Sequence, residues 1–75
     1  MTKLSTYYGH SDYENRRATV YYLPLEEKAG GAIISVDNFA ARAWDGSTSF
    51  WLGEFPTEEQ AGMACEDYVE GLSHD

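Results

Sequence analysis

The sequence predicts a small α+β domain, in which a three- or four-stranded antiparallel sheet is packed by one C-terminal amphipathic helix. Three observations lead to this class: an amphipathic segment follows Thr57, a hairpin signal stands at Asp45–Gly46, and the chain has only 75 residues. A chain of this length buries roughly 60% of the surface that it exposes when unfolded. We therefore expect one domain, residues 1–75, with the helix covering the apolar face of the sheet.

The helix has both an expected start and an expected end. Residues 57–60 read Thr-Glu-Glu-Gln, which is a capping box, and Gly71 is typical of the residue that ends a helix. The helix is therefore predicted from about Thr57 to Gly71. At about 100° per residue, one side carries Glu59, Glu66 and Glu70, with Asp67 at its edge. The opposite side is an apolar stripe of Ala61, Ala64, Cys65, Tyr68 and Leu72.

Strands are predicted on both sides of Asp45–Gly46, over Phe39–Trp44 and Ser49–Phe55. A second tight turn is expected at Asp37–Asn38, because these residue types tolerate left-handed backbone. The strand Ala32–Val36 is therefore expected to form a hairpin with Phe39–Trp44.

The first third of the chain is less clearly patterned. Ala18–Leu23 is rich in β-formers and is followed by proline, which predicts a strand. A short helix from Asp12 competes with it, since Ser11 and Glu14 have capping-box spacing. Whether the region from Asp12 onward is strand or helix stays open. Glu26–Gly31 is interpreted as a polar connection.

Charge is distributed unevenly along the chain. There are 13 Asp and Glu against 5 Lys and Arg, a formal net charge of −8. The two signs balance up to Arg42, and no Lys or Arg follows, so residues 43–75 carry the whole net charge. Such asymmetry suggests an interaction surface, although a solvating face of a monomer gives the same pattern. Because affinity for nucleic acid comes from Lys and Arg at phosphates, we expect no direct binding of nucleic acid.

No pattern of catalytic or metal-binding residues is found. Cys65, the one cysteine, lies on the apolar stripe and is expected to be buried and unreactive. His10 is expected in an exposed turn, and His74 stands too near the C-terminus for a catalytic role. These residues lack the spacing of a metal site. We expect no enzyme activity, no metal and no cofactor.

A moderately specific motif occupies residues 51–64, and it consists of Trp51-Leu-Gly-Glu-Phe55 followed by Thr57, Glu59, Ala61 and Ala64. It resembles the last strand and helix of AP2/ERF domains and of their phage integrase arm-binding relatives. The resemblance implies a meander whose helix approaches the sheet through alanines. AP2/ERF domains read DNA from a basic sheet face, whereas the predicted strands here offer Arg42 alone. The helix positions expected to be aromatic and aspartate are Cys65 and Glu66, so DNA binding is not implied.

In size, acidity and lack of a catalytic signature, the chain resembles small phage-encoded anti-CRISPR proteins, several of which occupy nucleic-acid grooves as DNA mimics. This resemblance implies action in the cytoplasm of a bacterial host. The N-terminus has no apolar segment of a secretory signal. Uncharged stretches such as Ala29–Val36 are far shorter than the roughly 20 residues that span a membrane.

The leading hypothesis is an acidic, monomeric inhibitor that blocks a nucleic-acid-binding protein by occupying its basic surface. The anti-CRISPR resemblance implies a type I surveillance complex as the target. Glu66, Asp67 and Glu70 support this hypothesis, because the negative end of the helix dipole disfavours them and stability alone would not place them there. The predicted partner-binding residues are Glu54, Glu58, Glu59, Met63, Glu66, Asp67 and Glu70.

Two alternatives stay open. A structural phage accessory protein would bind an oligomeric partner. If the acidic helix is only a solvated face, the partner site is expected on the aromatic segment around Tyr7, Tyr8 and Tyr13. A small AP2-like DNA-binding or regulatory module would need its bases to gather on one face, and these bases are Lys3, Arg16, Arg17, Lys28 and Arg42.

Overall fold

Two antiparallel sheets and one α-helix are formed by residues 1–71, which are the residues described in this computed structural model. The predicted class, an α+β domain with a three- or four-stranded antiparallel sheet and a C-terminal helix, is confirmed, and the main sheet has four strands. The elements are β1 (Thr2–Tyr8), a 3-10 turn (Ser11–Tyr13), β2 (Arg16–Tyr22), β3 (Leu25–Ala29), β4 (Ala32–Val36), β5 (Phe39–Asp45), β6 (Thr48–Phe55) and α1 (Glu58–Val69).

The main sheet has the strand order β1-β2-β5-β6, and β3 pairs only with β4 in a separate hairpin. Every pair of neighbours is antiparallel. In the main sheet, paired residues such as Val20 and Ala41 share one face, because side chains directly opposite each other point the same way. The helix covers that face of the sheet.

Helix α1 begins and ends as its sequence predicts. Thr57 is the N-cap, and its Oγ1 accepts a hydrogen bond of 3.2 Å from the Gln60 amide. Glu70 is the C-cap, and Gly71 follows with a φ of 76°, in the left-handed region that favours glycine. Leu72, the last residue of the predicted stripe, lies outside the described residues.

Small side chains form the interface between α1 and the sheet. The buried cluster consists of Ala18, Val20, Ala41, Ala61, Cys65 and Val69, and larger rings such as Tyr7 and Phe55 pack around it. A methyl group at Gly62 would lie 2.8 Å from the Tyr7 hydroxyl, so the helix already approaches β1 closely at this point. Of the two alanines of the motif, Ala61 belongs to the buried cluster, whereas Ala64 is half-buried.

The predicted hairpin between Ala32–Val36 and Phe39–Trp44 is wrong. β4 instead turns back onto β3 across Gly30–Gly31, whose φ values of 58° and 83° are those of a tight two-residue turn. Glu26–Gly31 is therefore a strand and a turn rather than a connection. The peptide at Asp37–Asn38 is held to the end of β2 instead, since the Leu23 amide donates to the Asn38 carbonyl.

Local structure at the N-terminus resolves the alternative left open by the sequence. Ser11–Tyr13 is a single 3-10 turn, and the strand β2 begins at Arg16, two residues before its predicted start at Ala18. Strand β1 was not predicted, because its polar residues do not alternate clearly with apolar ones. It forms an edge of the main sheet, paired with β2.

Candidate interaction faces

The outer side of α1 is acidic and exposed. Glu58, Glu59, Glu66 and Glu70 are exposed, and Met63 stands among them with 55% of its surface exposed. The first two acids lie in the first turn, where the helix dipole favours negative charge. The last turn contains no basic residue, so nothing on the helix offsets the acids there.

Part of this acidic side borders a groove between α1 and β1. The groove has a volume of about 580 Å³, and it is lined by Ser5, Tyr7, Glu58, Glu59, Gly62, Met63 and Glu66. Tyr7 and Met63 supply apolar surface between the carboxylates. This arrangement suits the side chains of Lys or Arg, whose apolar stems and charged ends need both kinds of contact.

The predicted partner-binding residues do not all meet in this groove. Glu58, Glu59, Met63 and Glu66 come together in it, and Glu70 borders an adjoining hollow that also contains Glu66. Glu54 and Asp67 lie elsewhere.

Glu54 and Asp67 are separated from the groove. Glu54 accepts a hydrogen bond of 2.7 Å from the Asn38 side chain, and register with Ala40 puts it on the sheet face away from the helix. Asp67 is half-buried and borders a different hollow, together with Phe55 and Gln60. Helical periodicity places Asp67 only at the edge of the acidic side, and in the structure it lines the hollow that Phe55 of β6 also lines.

The sheet face opposite the helix, here called the open face, carries stacked arginine and aromatic side chains. The Arg17 guanidinium lies 4.5 Å from the centre of the Trp44 ring, which is within range of a cation–π contact. Tyr21 meets Trp51 edge to face, with ring centres 6.2 Å apart. Trp51 is 51% exposed, so these rings form a surface rather than a core.

Arg42 stands at the centre of the open face. Its guanidinium lies 5.4 Å from the Trp44 ring and 5.2 Å from the Trp51 ring, and one of its terminal nitrogens donates to Ser49 at 2.8 Å. Its Nε is buried and has no hydrogen-bond partner. Two indole rings thus hold this cation in place and leave one of its donors unused.

The expectation that the strands offer Arg42 alone is wrong. Arg17 joins it because β2 begins earlier than predicted, and β1 adds Lys3 and Tyr8, which are in register with Tyr21 and Arg17. The alternation Arg17-x-Thr19-x-Tyr21 was the signal that could have placed Arg17 on this face.

The remaining bases lie away from the open face. Arg16 is on the helix side, where it donates a hydrogen bond of 2.9 Å to the Tyr68 carbonyl and lies against the Tyr13 and Tyr68 rings. Lys28 is on β3, outside the main sheet. Of the five bases that a DNA-binding module would need on one face, only Lys3, Arg17 and Arg42 lie on the open face.

Cys65 is fully buried, as predicted, and burial raises the pKa of its thiol to about 11. His10 is exposed, as predicted, and His74 lies outside the described residues.

A hydrogen bond to Asp37 raises the pKa of Tyr22. Among residues 1–71, no group of three His, Cys, Asp or Glu is placed so that it could hold a metal ion.

Comparison of the chain with models of protein families, with curated proteins and with solved structures found no match. Within the described part of the chain, α1 is too short and too polar to cross a membrane. The acidic side of α1 and the open face are therefore the features that bear on function.

Proposed function

We propose that this chain is a non-enzymatic binding protein that presents the acidic side of α1 to the basic surface of a nucleic-acid-binding protein. The observation that carries the proposal is the groove between α1 and β1, where Glu58, Glu59 and Glu66 line the same surface as Tyr7 and Met63. A face that serves only solvation needs no apolar surface between its acids.

Electrostatics favours a basic partner for this groove. The net charge of −8 attracts basic surfaces at long range and speeds their encounter with the acidic side of α1. Exposed ion pairs contribute little each, about 0.2–1 kcal/mol, so the lifetime of the complex depends on apolar contacts with Met63 and Tyr7. Complementary charge selects the partner, and the apolar contacts hold it.

A nucleic-acid-binding protein is the class of partner that fits an array of carboxylates. Glu66 and Glu70 are one helical turn apart, with Cβ atoms about 5–6 Å from each other, which approaches the repeat of negative charges along a nucleic-acid backbone. The resemblance to anti-CRISPR proteins implies a type I CRISPR surveillance complex, and the mechanism is competition with DNA for a basic surface.

A competition experiment tests this proposal. A purified type I surveillance complex is mixed with labelled target DNA and increasing amounts of the chain, and bound DNA is measured by mobility shift. The chain is expected to displace the DNA, and displacement is expected to weaken as salt rises, because salt screens exposed charges. DNA binding that is unaffected by a large excess of the chain contradicts the proposed target.

A second candidate is binding of nucleic acid by the open face, and the stacking of Arg17 and Arg42 on Trp44 and Trp51 favours it. Exposed aromatic rings stack with bases, and guanidinium groups contact phosphates. The motif at residues 51–64 resembles domains that read DNA from this side of the sheet. The net charge of the chain opposes this candidate, because few bases stand against many acids.

Fluorescence anisotropy with labelled single-stranded and duplex DNA tests the second candidate. If the open face binds DNA, Arg17→Gln weakens binding by roughly tenfold, since it removes a cation at the contact. Lys28→Gln is the matched control, because it removes the same charge from β3, away from the open face. Absence of binding by the unmodified chain at physiological salt excludes this candidate.

A further inference from the structure

The outer edge of β4 is unprotected, unlike the other edges of the described sheets. Its five residues, Ala32–Val36, include no charge, no proline and no bulge. Exposed edges of this kind pair with strands of other chains, which is why proteins usually protect them. The other three edge strands are protected. β3 carries Glu26, Glu27 and Lys28. β1 has Lys3 and a bulge, and β6 has Glu54 and a register shift.

The hairpin of β3 and β4 also lacks a covering layer. Ile33 is 66% exposed, and Ile34 and Leu25 are each 44% exposed. Among residues 1–71, β3 and β4 make extensive contacts only with each other, and neither packs substantially against α1. A hairpin of two strands is marginal in water by itself. A third strand beside β4 would satisfy its free backbone groups and cover part of its apolar surface.

We propose that β4 pairs antiparallel with β4 of a second copy of this chain, about a two-fold axis at Ile34. The turn at Gly30–Gly31 fixes which backbone groups are free, because the residues that flank a two-residue turn form a hydrogen-bonded pair. From that pair onward, the backbone groups of Ala32, Ile34 and Val36 form hydrogen bonds with β3. The amides and carbonyls of Ile33 and Ser35 point away from β3, toward the free edge.

The free groups are self-complementary about this axis. Ile33 of one copy faces Ser35 of the other, and each of these two pairs exchanges hydrogen bonds. The two Ile34 residues form the non-hydrogen-bonded pair between them, with Cα atoms about 4.5 Å apart and side chains in contact. The result is one continuous four-stranded sheet, and a two-fold axis makes the contact closed rather than open-ended.

The distribution of charge places the contact between two copies at β4. Two chains of net charge −8 repel each other, and contact through α1 would bring acids together. β4 carries no charge, and the charged residues of its hairpin lie on β3, one strand away from the contact. The net charge led us to expect a monomer, but β4 is where two copies meet at least electrostatic cost. This pairing does not depend on the proposed function.

Sedimentation of the purified chain at increasing concentration tests for the dimer. The unmodified chain is expected to shift from monomer to dimer between low micromolar and millimolar concentration. Ile34→Lys sets two like charges opposite each other at the axis, and it is expected to weaken the dimer roughly tenfold or more. Glu27→Gln is the matched control, because it makes the same change of one charge at the residue paired with Ile34, on the other strand of the hairpin.

Cross-linking identifies the register without relying on a disruptive change. Ile34→Cys is expected to give a disulfide-linked dimer under mild oxidation, because a Cα distance of about 4.5 Å is within the range of disulfides. Ile33→Cys is expected not to, since the two copies of that position would be about 8–9 Å apart. Cys65 is buried and does not interfere. A chain that stays monomeric throughout, or one that links equally well at both positions, overturns the proposal.

Discussion

The two sides of the main sheet carry different kinds of side chain. Beneath α1 the buried residues are small, such as Ala18, Ala41 and Cys65, so that helix and sheet approach closely. On the open face, large rings such as Trp44 and Trp51 lie against guanidinium groups and stay partly exposed. The aromatic side chains of this protein are therefore divided between the margin of the core and an exposed surface.

Charge is divided between the same two sides. The acids of α1 face outward on one side, and Arg17 and Arg42 lie on the other. The thinnest extent of the molecule is 17 Å, which is about twice the distance over which physiological salt screens a charge. The bases of the open face therefore leave the field at α1 acidic.

The largest stability effect is expected on the helix side of β2. Val20→Ala removes two methyl groups from a fully buried site, and it should lower the free energy of unfolding by about 2 kcal/mol. Thr19→Ser, at the next residue and on the open face, removes one methyl and keeps the hydroxyl that lies 3.1 Å from that of Thr6. It should cost about 1 kcal/mol or less. Urea unfolding of both variants measures the difference, and an equal or larger loss of stability for Thr19→Ser would contradict the expected difference between the two sides of the sheet.

An effect of comparable size is expected from pH, through the buried thiol of Cys65. Its pKa is raised from 9.0 to about 11 in the folded protein, so between these values the unfolded chain loses a proton that the folded chain keeps. Stability should therefore fall as pH rises through this window, by up to roughly 1.4 kcal/mol per pH unit. The slope should be shallower in Cys65→Ala, measured by urea unfolding at several alkaline pH values. Equal slopes in the two proteins would mean that the thiol ionises as readily in the folded state.

The smallest effect is expected at the end of α1. Glu70→Lys exchanges an exposed acid at the C-cap for a cation, which the helix dipole favours by about 0.3–1 kcal/mol. The melting temperature should rise slightly, while displacement of DNA from a basic partner should weaken. If both quantities fell together, Glu70 would have a structural role in place of the one proposed.

Much of the main sheet and the helix could be predicted because local signals agree there. The capping threonine, the final glycine and the apolar stripe all specify α1, and Asp45–Gly46 specifies the hairpin of β5 and β6. The predicted partner of β4 was wrong because two turn signals in the sequence competed. Gly30–Gly31 closes a two-residue hairpin, whereas Asp37–Asn38 is anchored to β2 by a contact distant in sequence.

Of the two candidate surfaces, the acidic side of α1 could be predicted from the sequence and the open face could not. The acidic side of α1 followed from helical periodicity, since a helix is a local structure. The open face depends on registers between four strands, which no local pattern states, so Arg17 and Lys3 were not placed beside Arg42. Glu54 lies close to α1 in the sequence, but its position on β6 places its side chain on the sheet face opposite the helix.

The central claim is that the acidic side of α1 is the surface that binds a basic partner, and a charge-matched pair of triple variants tests it. The helix variant carries Glu59→Lys, Glu66→Lys and Glu70→Lys. The control carries the same change at exposed acids outside the helix, namely Asp12→Lys, Glu14→Lys and Glu26→Lys. Each reversal adds two charges, so both variants move from −8 to −2.

The measurement is the concentration of each variant that displaces half of the DNA from the surveillance complex, with circular dichroism to verify the fold. Three attractions become three repulsions in the helix variant, so we predict a loss of about a hundredfold or more, with the control within a few-fold of the unmodified chain. A folded helix variant that displaces DNA as well as the control would contradict the claim.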